Sequence, residues 1–534
     1  MTTLIVGAIA FAGLVVPAQS MAASSSTAAM PKLTLTGLNR AAKVVGVPEA
    51  TLLSVANDAE YSYNGAPLEL PGGTYLIAAE VPTYSGKAMT SATLVFARER
   101  VRRTETIKLN GSDGRRLSVT LAGASATVDQ LSANVCMSIY AGGQGTVVGS
   151  AWAGSGVPVY AVPVKSGNIT FEYSDILTSA TGATYYLIGS APGEIPRHLA
   201  YTQRASHLAK LTMALRSRAY GSSEFDWSIQ SGTSQSFCGV GQETNTYSVQ
   251  SWVNYLTPGP WTTSVTAYSQ DGEGNFDRNA YFFTDGTYRA DASYANTYGG
   301  AVVGPGASFP QSSKPDQAGQ TGTLISYGPY LFVSPLAHGG QICCDRSTVS
   351  LRLGGRVVKT RQAGTGHVFY ADIHQSGWYT LNVDDHRYFQ GGGTPADLLS
   401  PRVAVSFRFH AFAHPAGDGD YQNLPLTDAR YDALDLNSDN EARAGGTTTL
   451  DVTIARPGNA GVATPVYRLK TVKFYASFND GSTWLALKTR QHHGTWLVSV
   501  PDPASGYVSI RSIVTDVHGD RTEQTVYQAY GITG

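Results

Sequence analysis

Charge is scarce in this 534-residue chain. Asp, Glu, Lys and Arg make up 14% of it, against about 25% in an ordinary soluble protein. The two signs almost cancel, at a net −1, so no overall basic field exists to attract nucleic acid or an anionic membrane surface. Long apolar runs are missing too. Leu4–Val16 (LIVGAIAFAGLVV) is the longest, and it falls short of the roughly 20 residues that span a bilayer as a helix. Cysteine is limited to Cys136, Cys238, Cys343 and Cys344, with no CxxC pair, which removes the usual zinc spacing. These absences leave no expected membrane span, nucleic-acid partner or catalytic cofactor.

What is abundant points to β structure. The chain holds 58 Gly and 30 Tyr, and short Val/Thr/Tyr runs recur between turn residues, as in extracellular all-β proteins. At about 150 residues per domain, the length predicts three or four domains. VKFYASFNDGSTWLALKTR (Val472–Arg490) reads as strand, turn and strand around Asp480-Gly481, because Gly accepts the positive φ of primed turns. Val472, Phe474 and Ala476 alternate with Lys473 and Tyr475, so one face is expected to be buried. VSIRSIVTDVHGDRTEQTVYQAYGI (Val508–Ile532) repeats the device with Asp516–Asp520 as its turn, and TVSLRLGGRVVKT (Thr348–Thr360) does so around Gly354-Gly355. Trp378, Trp484 and Trp496 lie in strand-like runs and are expected in the core.

The organisation follows from these segments. Residues 1–22 are expected to be a signal peptide, with the apolar run as its core, although Met1-Thr2-Thr3 lacks the usual basic residue. Secretion is the localisation this implies. The four cysteines would then form structural disulfides in one of three pairings. Neighbours on a strand point to opposite faces, so Cys343 and Cys344 are expected to reach different partners. Domains are expected at 31–123, 124–300, 301–415 and 425–534. APLELPGGTYLIAAEV (Ala66–Val81) reads as two strands joined by Pro71-Gly72-Gly73. HLAKLTMALRS is ambiguous, since Leu208, Leu211 and Leu215 fit a helix face while Leu211, Met213 and Leu215 fit a strand.

Four blocks in order carry a family resemblance. They are KLTLTGLNR…LELPGGTYLIAAEV (Lys32–Val81), IPRHLAYTQRASHLAKL (Ile195–Leu211), AVVGPGASFP…PLAHGG (Ala301–Gly340) and SIRSIVTDVHGDRTEQTVYQAYGI at the C-terminal end. Together the chain resembles the non-catalytic C-terminal region of actinobacterial secreted subtilisin-like serine proteases. The resemblance implies tandem β-sandwiches, with a carboxypeptidase-regulatory-like first domain and an immunoglobulin-like last domain, and it favours strands in the Ile195–Leu211 block. The family's peptidase motifs are not matched. Asp285-Gly286-Thr287 has its small residues reversed, His493-Gly494-Thr495 runs into Trp496, and Gly232-Thr233-Ser234 runs into Gln235. A triad needs nucleophile, base and acid within hydrogen-bond reach, so no catalytic residue is assigned.

Other chemistry is sparse. His410 and His414 (HAFAH) share a strand face and would need Asp418 or Asp420 to complete a metal site. Asp271, Glu273, Asn275 and Asp277 alternate as the oxygen ligands of calcium loops do, and so do Asp435, Asn437 and Asp439. A structural calcium ion is the one cofactor they allow, beside a plain polar turn. Trp261, Tyr288, Tyr294 and Tyr298 belong to an aromatic cluster that is expected to stack on sugar rings if exposed, or to form core if buried. The expected function is a secreted, non-catalytic accessory or binding protein, with extracellular polysaccharide or a secreted protein as partner. The alternative is a fragment or partner chain of a secreted subtilisin-like protease.

Overall fold

Strands form wherever β-branched and aromatic residues alternate with polar ones. In Thr447–Ala455 (TTTLDVTIA), Thr448, Leu450, Val452 and Ile454 are buried while the residues between them are half exposed. The computed structural model describes residues 30–533 except 125–127, 142–145, 217–223, 232–243, 247–250, 271–275, 306–317, 329–330, 333–338, 343–344, 364–367, 389–397, 415–420 and 457–467. Among the described residues the chain is all-β, arranged in several stacked sheets, and its one helical element is the 3-10 turn Ala205–His207. No helix there is long and apolar enough to cross a membrane.

The first two sheets are built on Lys32–Leu38 and Gly73–Ser85. Gly73–Ser85 is buried on both faces. Tyr75, Ile77, Ala79 and Val81 pack with Leu33 and Leu35, while Leu76 and Ala78 turn the other way, onto Val135 and Phe171. This explains its near-continuous apolar sequence. The two strands expected around Pro71-Gly72-Gly73 are Leu68–Glu69 and Gly73–Ser85, but Leu68–Glu69 pairs with Lys32 and Leu33 rather than with its successor. Nor does the unit stop at residue 123, because Val159–Ala161 adds in parallel to Ala92–Leu94. The next sheet lies so close that a Cβ on Gly149 would stand 2.2 Å from Ala78 Cβ.

That next sheet has seven strands, from Thr146–Gly154 at one edge to Ser293–Tyr298 at the other. The ambiguous HLAKLTMALRS run is a strand over Ala209–Leu215, with Ala209, Leu211, Met213 and Leu215 all buried. The period of two prevails because the segment sits between two neighbours, Ser251–Leu256 and Ser293–Tyr298. Cys136, buried in the same sheet, is disulfide-bonded. Cys238, Cys343 and Cys344 lie outside the described residues.

A nine-stranded sheet dominates the C-terminal half. Its order is Arg356–Ala363, Asp345–Leu353, Gly377–Arg387, Arg402–Ala411, Arg521–Thr533, Tyr507–Asp516, Leu469–Ser477 and Leu485–Ala486, with Glu441–Arg443 alongside Arg521–Thr533. Two of the expected domains therefore share one sheet. The seam is the antiparallel ladder from Arg402↔Tyr527 to Arg408↔Arg521. Beneath it one hydrophobic core runs from Ile176 to Ile532, across both expected boundaries at 300 and 415. Asn440 ties the segments together. Fully buried with φ of 59°, it donates to Gly299 O at 2.9 Å, and its Oδ1 accepts the Ala301 N–H at 2.8 Å. Its carbonyl accepts the Gly531 N–H at 3.1 Å.

The turns predicted from glycine are present. Asp480 and Gly481 both have positive φ, and Ser482 N–H closes on Asn479 O at 3.1 Å. Gly354 and Gly355 do the same between Asp345–Leu353 and Arg356–Ala363. Asp516 N–H closes on Asp520 O at 3.0 Å. Beyond the Asp480-Gly481 turn only Leu485–Ala486 pairs back, and the main partner of Leu469–Ser477 is Tyr507–Asp516.

Two outcomes follow from this packing. Gly149→Val is expected to lower stability by about 1–3 kcal/mol through overpacking against Ala78, read as a drop in melting temperature. An unchanged melting temperature would mean that the two sheets are not in contact there. The second concerns the fully buried Asp385, whose carboxyl is pushed up to about 8 by burial first and by the charge of Asp345 second. An acid with a raised folded pKa stabilises the fold while protonated, and that contribution is lost as pH rises through the folded value. The melting temperature is expected to fall from about pH 4 to about pH 8 and to level off above that, and Asp385→Asn to flatten the profile. A wild-type profile already flat across that window would contradict it.

Candidate functional site

The nine-stranded sheet has one face on the core and one facing out. Alternation in Gly377–Arg387 sends Tyr379, Leu381, Val383 and Asp385 inward and Trp378, Thr380, Asn382, Asp384 and His386 outward. Directly opposed residues share a face, so the outer side chains fall into rows across the strands. One row is Arg346, His386, Arg402 and Tyr527. The next holds Thr348, Asp384, Ala404, Thr525 and Arg511. Then come Ser350, Asn382, Ser406 and Glu523, followed by Arg352, Thr380, Arg408 and Arg521. Trp378 and His410 face each other at the end.

Aromatic rings and guanidinium groups pair repeatedly on this face. Arg408 Cζ lies 4.0 Å over Trp378, and Arg511 Cζ lies 4.0 Å over Trp484. Arg402 sits 4.7 Å over Tyr527, and Arg346 sits 5.3 Å over Tyr388. Arg402 also grips Asp384 with two parallel bonds, Nε to Oδ1 at 2.7 Å and Nη2 to Oδ2 at 2.9 Å. At one end a cleft of about 440 Å3 is lined by Arg346, Thr348, Gln362, His386 and Tyr388. Gln362 Nε2 donates to Thr348 Oγ1 at 2.9 Å in its wall. At the other end Trp378 is 36% exposed and Phe412 63% exposed, with His410 between them. The His410 N–H donates to Asp520 Oδ1 at 3.3 Å. Burial first, and Asp516 second, push Asp520 up to about 6.

Of the two alternatives for the aromatic cluster, the structure shows the core one. Trp261, Tyr288 and Tyr298 are buried, and Tyr294 is half-buried against the same core. Their polar tips are satisfied internally. Trp261 Nε1 donates to Thr257 O at 2.8 Å, and Tyr288 Oη accepts from Asn296 Nδ2 at 3.3 Å. Tyr298 Oη bonds Thr284 Oγ1 at 3.1 Å, and Tyr294 Oη accepts the Arg289 N–H at 3.0 Å. Trp378, expected in the core, is the exposed ring. Its signal was present in GWYTLNVDDHR, where it shares parity with Thr380, Asn382, Asp384 and His386 rather than with Tyr379, Leu381 and Val383.

The other candidates are dispersed. Asp271, Glu273 and Asn275 lie outside the described residues, as do Asp418, Asp420 and Ser234, while Asp277 opposes Ser269 in a strand. Asn437 Oδ1 is taken up by the N–H groups of Asp439 and Glu441, both at 2.9 Å, and Asp435 Oδ2 accepts the Thr449 N–H at 3.3 Å. Among the described residues no three His, Cys, Asp or Glu side chains are placed to hold a metal ion. His410 packs edge-on to Trp378 at 5.5 Å. Asp285 accepts from Thr262 Oγ1 in one sheet, and His493 caps a hairpin of another.

Comparison with known proteins gives distant likenesses. No family model and no curated protein matches the chain. Among solved structures, one from a study of the host cell surface retention of a 1.5-MDa bacterial ice-binding adhesin is 11% identical with a TM-score of 0.14. It covers 60% of this chain and 96% of its own. The native conformation of Escherichia coli alpha-2-macroglobulin is 8% identical with a TM-score of 0.16, over 91% of this chain and 38% of that one. Its trypsin-activated form is 9% identical at 0.14, over 90% and 39%. The chain thus spans well under half of the macroglobulin. At these scores the likenesses carry no argument.

The relocation of the aromatics is testable. Trp261→Ala is expected to cost about 3–5 kcal/mol, as removal of a buried ring does. Trp378→Ala, on the surface, is expected to cost under about 1 kcal/mol, the scale of an exposed cation–π pair. Equal losses in thermal unfolding would contradict the two placements.

Proposed function

We propose that this is a non-catalytic, extracytoplasmic binding protein that holds an extended polysaccharide against the outer face of its nine-stranded sheet. One observation carries the reading. A whole sheet face is given to hydrogen-bonding side chains in register, with an exposed ring at each end, while its reverse is core. Tyr388 and Trp378 stand ten residues apart along one strand direction, about 33 Å at the strand rise, a length suited to a chain of several sugars. Thr348, Thr380, Asn382 and Ser406 between them offer hydroxyl and amide groups of the kind that pair with sugar hydroxyls. The disulfide at Cys136 supports an oxidising compartment outside the cytoplasm.

The test is retention of the protein (Ala23–Gly534) on a panel of immobilised or insoluble polysaccharides. Tyr388→Ala combined with Trp378→Ala is expected to weaken retention at least about tenfold, the effect of losing two anchors of roughly 1 kcal/mol each. Tyr84→Ala, which removes an exposed ring on a different sheet, serves as a folded control. Retention that the double variant leaves unchanged would move the binding surface elsewhere.

A further inference from the structure

We infer that the polysaccharide taken by this face is acidic, bearing carboxylate or sulfate groups; the inference rests on the polysaccharide reading above. The first reason is local charge. The outer face holds six arginines, Arg346, Arg352, Arg402, Arg408, Arg511 and Arg521, against three carboxylates, Asp384, Glu523 and, at the Trp378 end, Asp520. The whole chain is balanced at net −1, so this surplus is concentrated on one surface rather than spread over the molecule.

The second reason is which of these cations are already occupied. Asp384 takes Arg402 in a bidentate pair and lies 3.4 Å from His386. Glu523 takes Arg521 at 2.9 Å and Arg511 at 3.7 Å. Among the described residues Arg346, Arg352 and Arg408 have no carboxylate partner; Arg408 donates only to Gly519 O, at 3.1 Å. Arg346 and Arg352 are six residues apart on one strand, and Arg408 is two strands across from Arg352. At the ordinary strand rise and spacing these separations are about 20 Å and about 10 Å. Three free cations so placed match an anion that repeats along a chain better than one compact anion.

The third reason is orientation. Arg346 and Arg408 lie on the rings of Tyr388 and Trp378. A ring contact restricts where each guanidinium can sit without using up its N–H groups, which remain donors for an oxyanion. A protein partner is disfavoured because the centre of the face, Asn382, Ala404 and Ser406, offers no apolar cluster of the kind that anchors an interface.

The experiment is affinity electrophoresis and quartz-microbalance binding of the protein (Ala23–Gly534) to four probes. They are polygalacturonate, the same polymer with its carboxyls reduced to alcohols, dextran sulfate, and a single-stranded DNA of similar charge density. Expected are retention on polygalacturonate or dextran sulfate that falls at least tenfold between low and moderate salt, and little retention on the reduced polymer. Whichever acidic polymer binds more tightly identifies carboxylate or sulfate as the group read. The triple variant R346Q/R352Q/R408Q is expected to lose at least tenfold in affinity. R346K/R352K/R408K keeps the charge and should retain most salt-dependent binding, which separates recognition from a folding defect. Equal, salt-insensitive retention on the reduced polymer would overturn the acidic assignment and leave the polysaccharide reading standing. Binding to DNA alone, or to none of the four and to no neutral polysaccharide, would overturn both.

Discussion

The candidate surface exists because of one ladder of backbone hydrogen bonds, where Arg402–Arg408 pairs with Arg521–Tyr527. Without it the strands from Asp345 to Ala411 and those from Leu469 to Thr533 are two small sheets, each with an edge exposed. With it they form a single surface whose rows run unbroken from Arg346 to Tyr527. Sealing both edges also removes two open templates for pairing with another chain. The ladder is backed by core on the inward side, where Val403, Val405 and Phe407 meet Val526 in the common cluster. Outward it is crossed by the Arg402 stack on Tyr527. Backbone, core and surface contacts therefore select the same register, and a shift of one residue would turn the arginines into the core.

Asn440 plays a complementary part at the joint below. Its amide uses both ends, and its carbonyl a third contact, to join residues near 300, 440 and 531. A buried amide satisfied in this way specifies one arrangement, because any shift leaves donor and acceptor unpaired at a cost of about 1–3 kcal/mol. Positive φ at this residue is tolerated by Asn better than by most non-glycine residues.

Local features were readable from the residues, and long-range ones were not. Asp480-Gly481, Gly354-Gly355 and Asp516–Asp520 are turns because the required backbone conformation is written in the residues themselves. The alternation of Val472, Phe474 and Ala476 likewise reports one face. By contrast, the parallel addition of Val159–Ala161 to Ala92–Leu94 leaves no local trace, since neither segment differs from an ordinary strand. The domain boundaries at 123, 300 and 415 missed these pairings for that reason. Aromatic density alone left open whether Trp261, Tyr288 and Tyr298 are exposed or core; they are core, and partners within the fold satisfy their polar tips. Trp378 was misplaced by its type, although its parity within the strand was already informative.

The position of Arg521–Thr533 within the sheet constrains the order of assembly. It lies between Arg402–Ala411 and Tyr507–Asp516, yet follows both in sequence. A chain emerging N-terminus first must hold the first of these strands open until more than a hundred further residues have appeared. Such non-local closure is slow. Until it occurs the Phe407 side of the core has an uncovered flank, and the waiting intermediate is the state most exposed to proteases and to self-association.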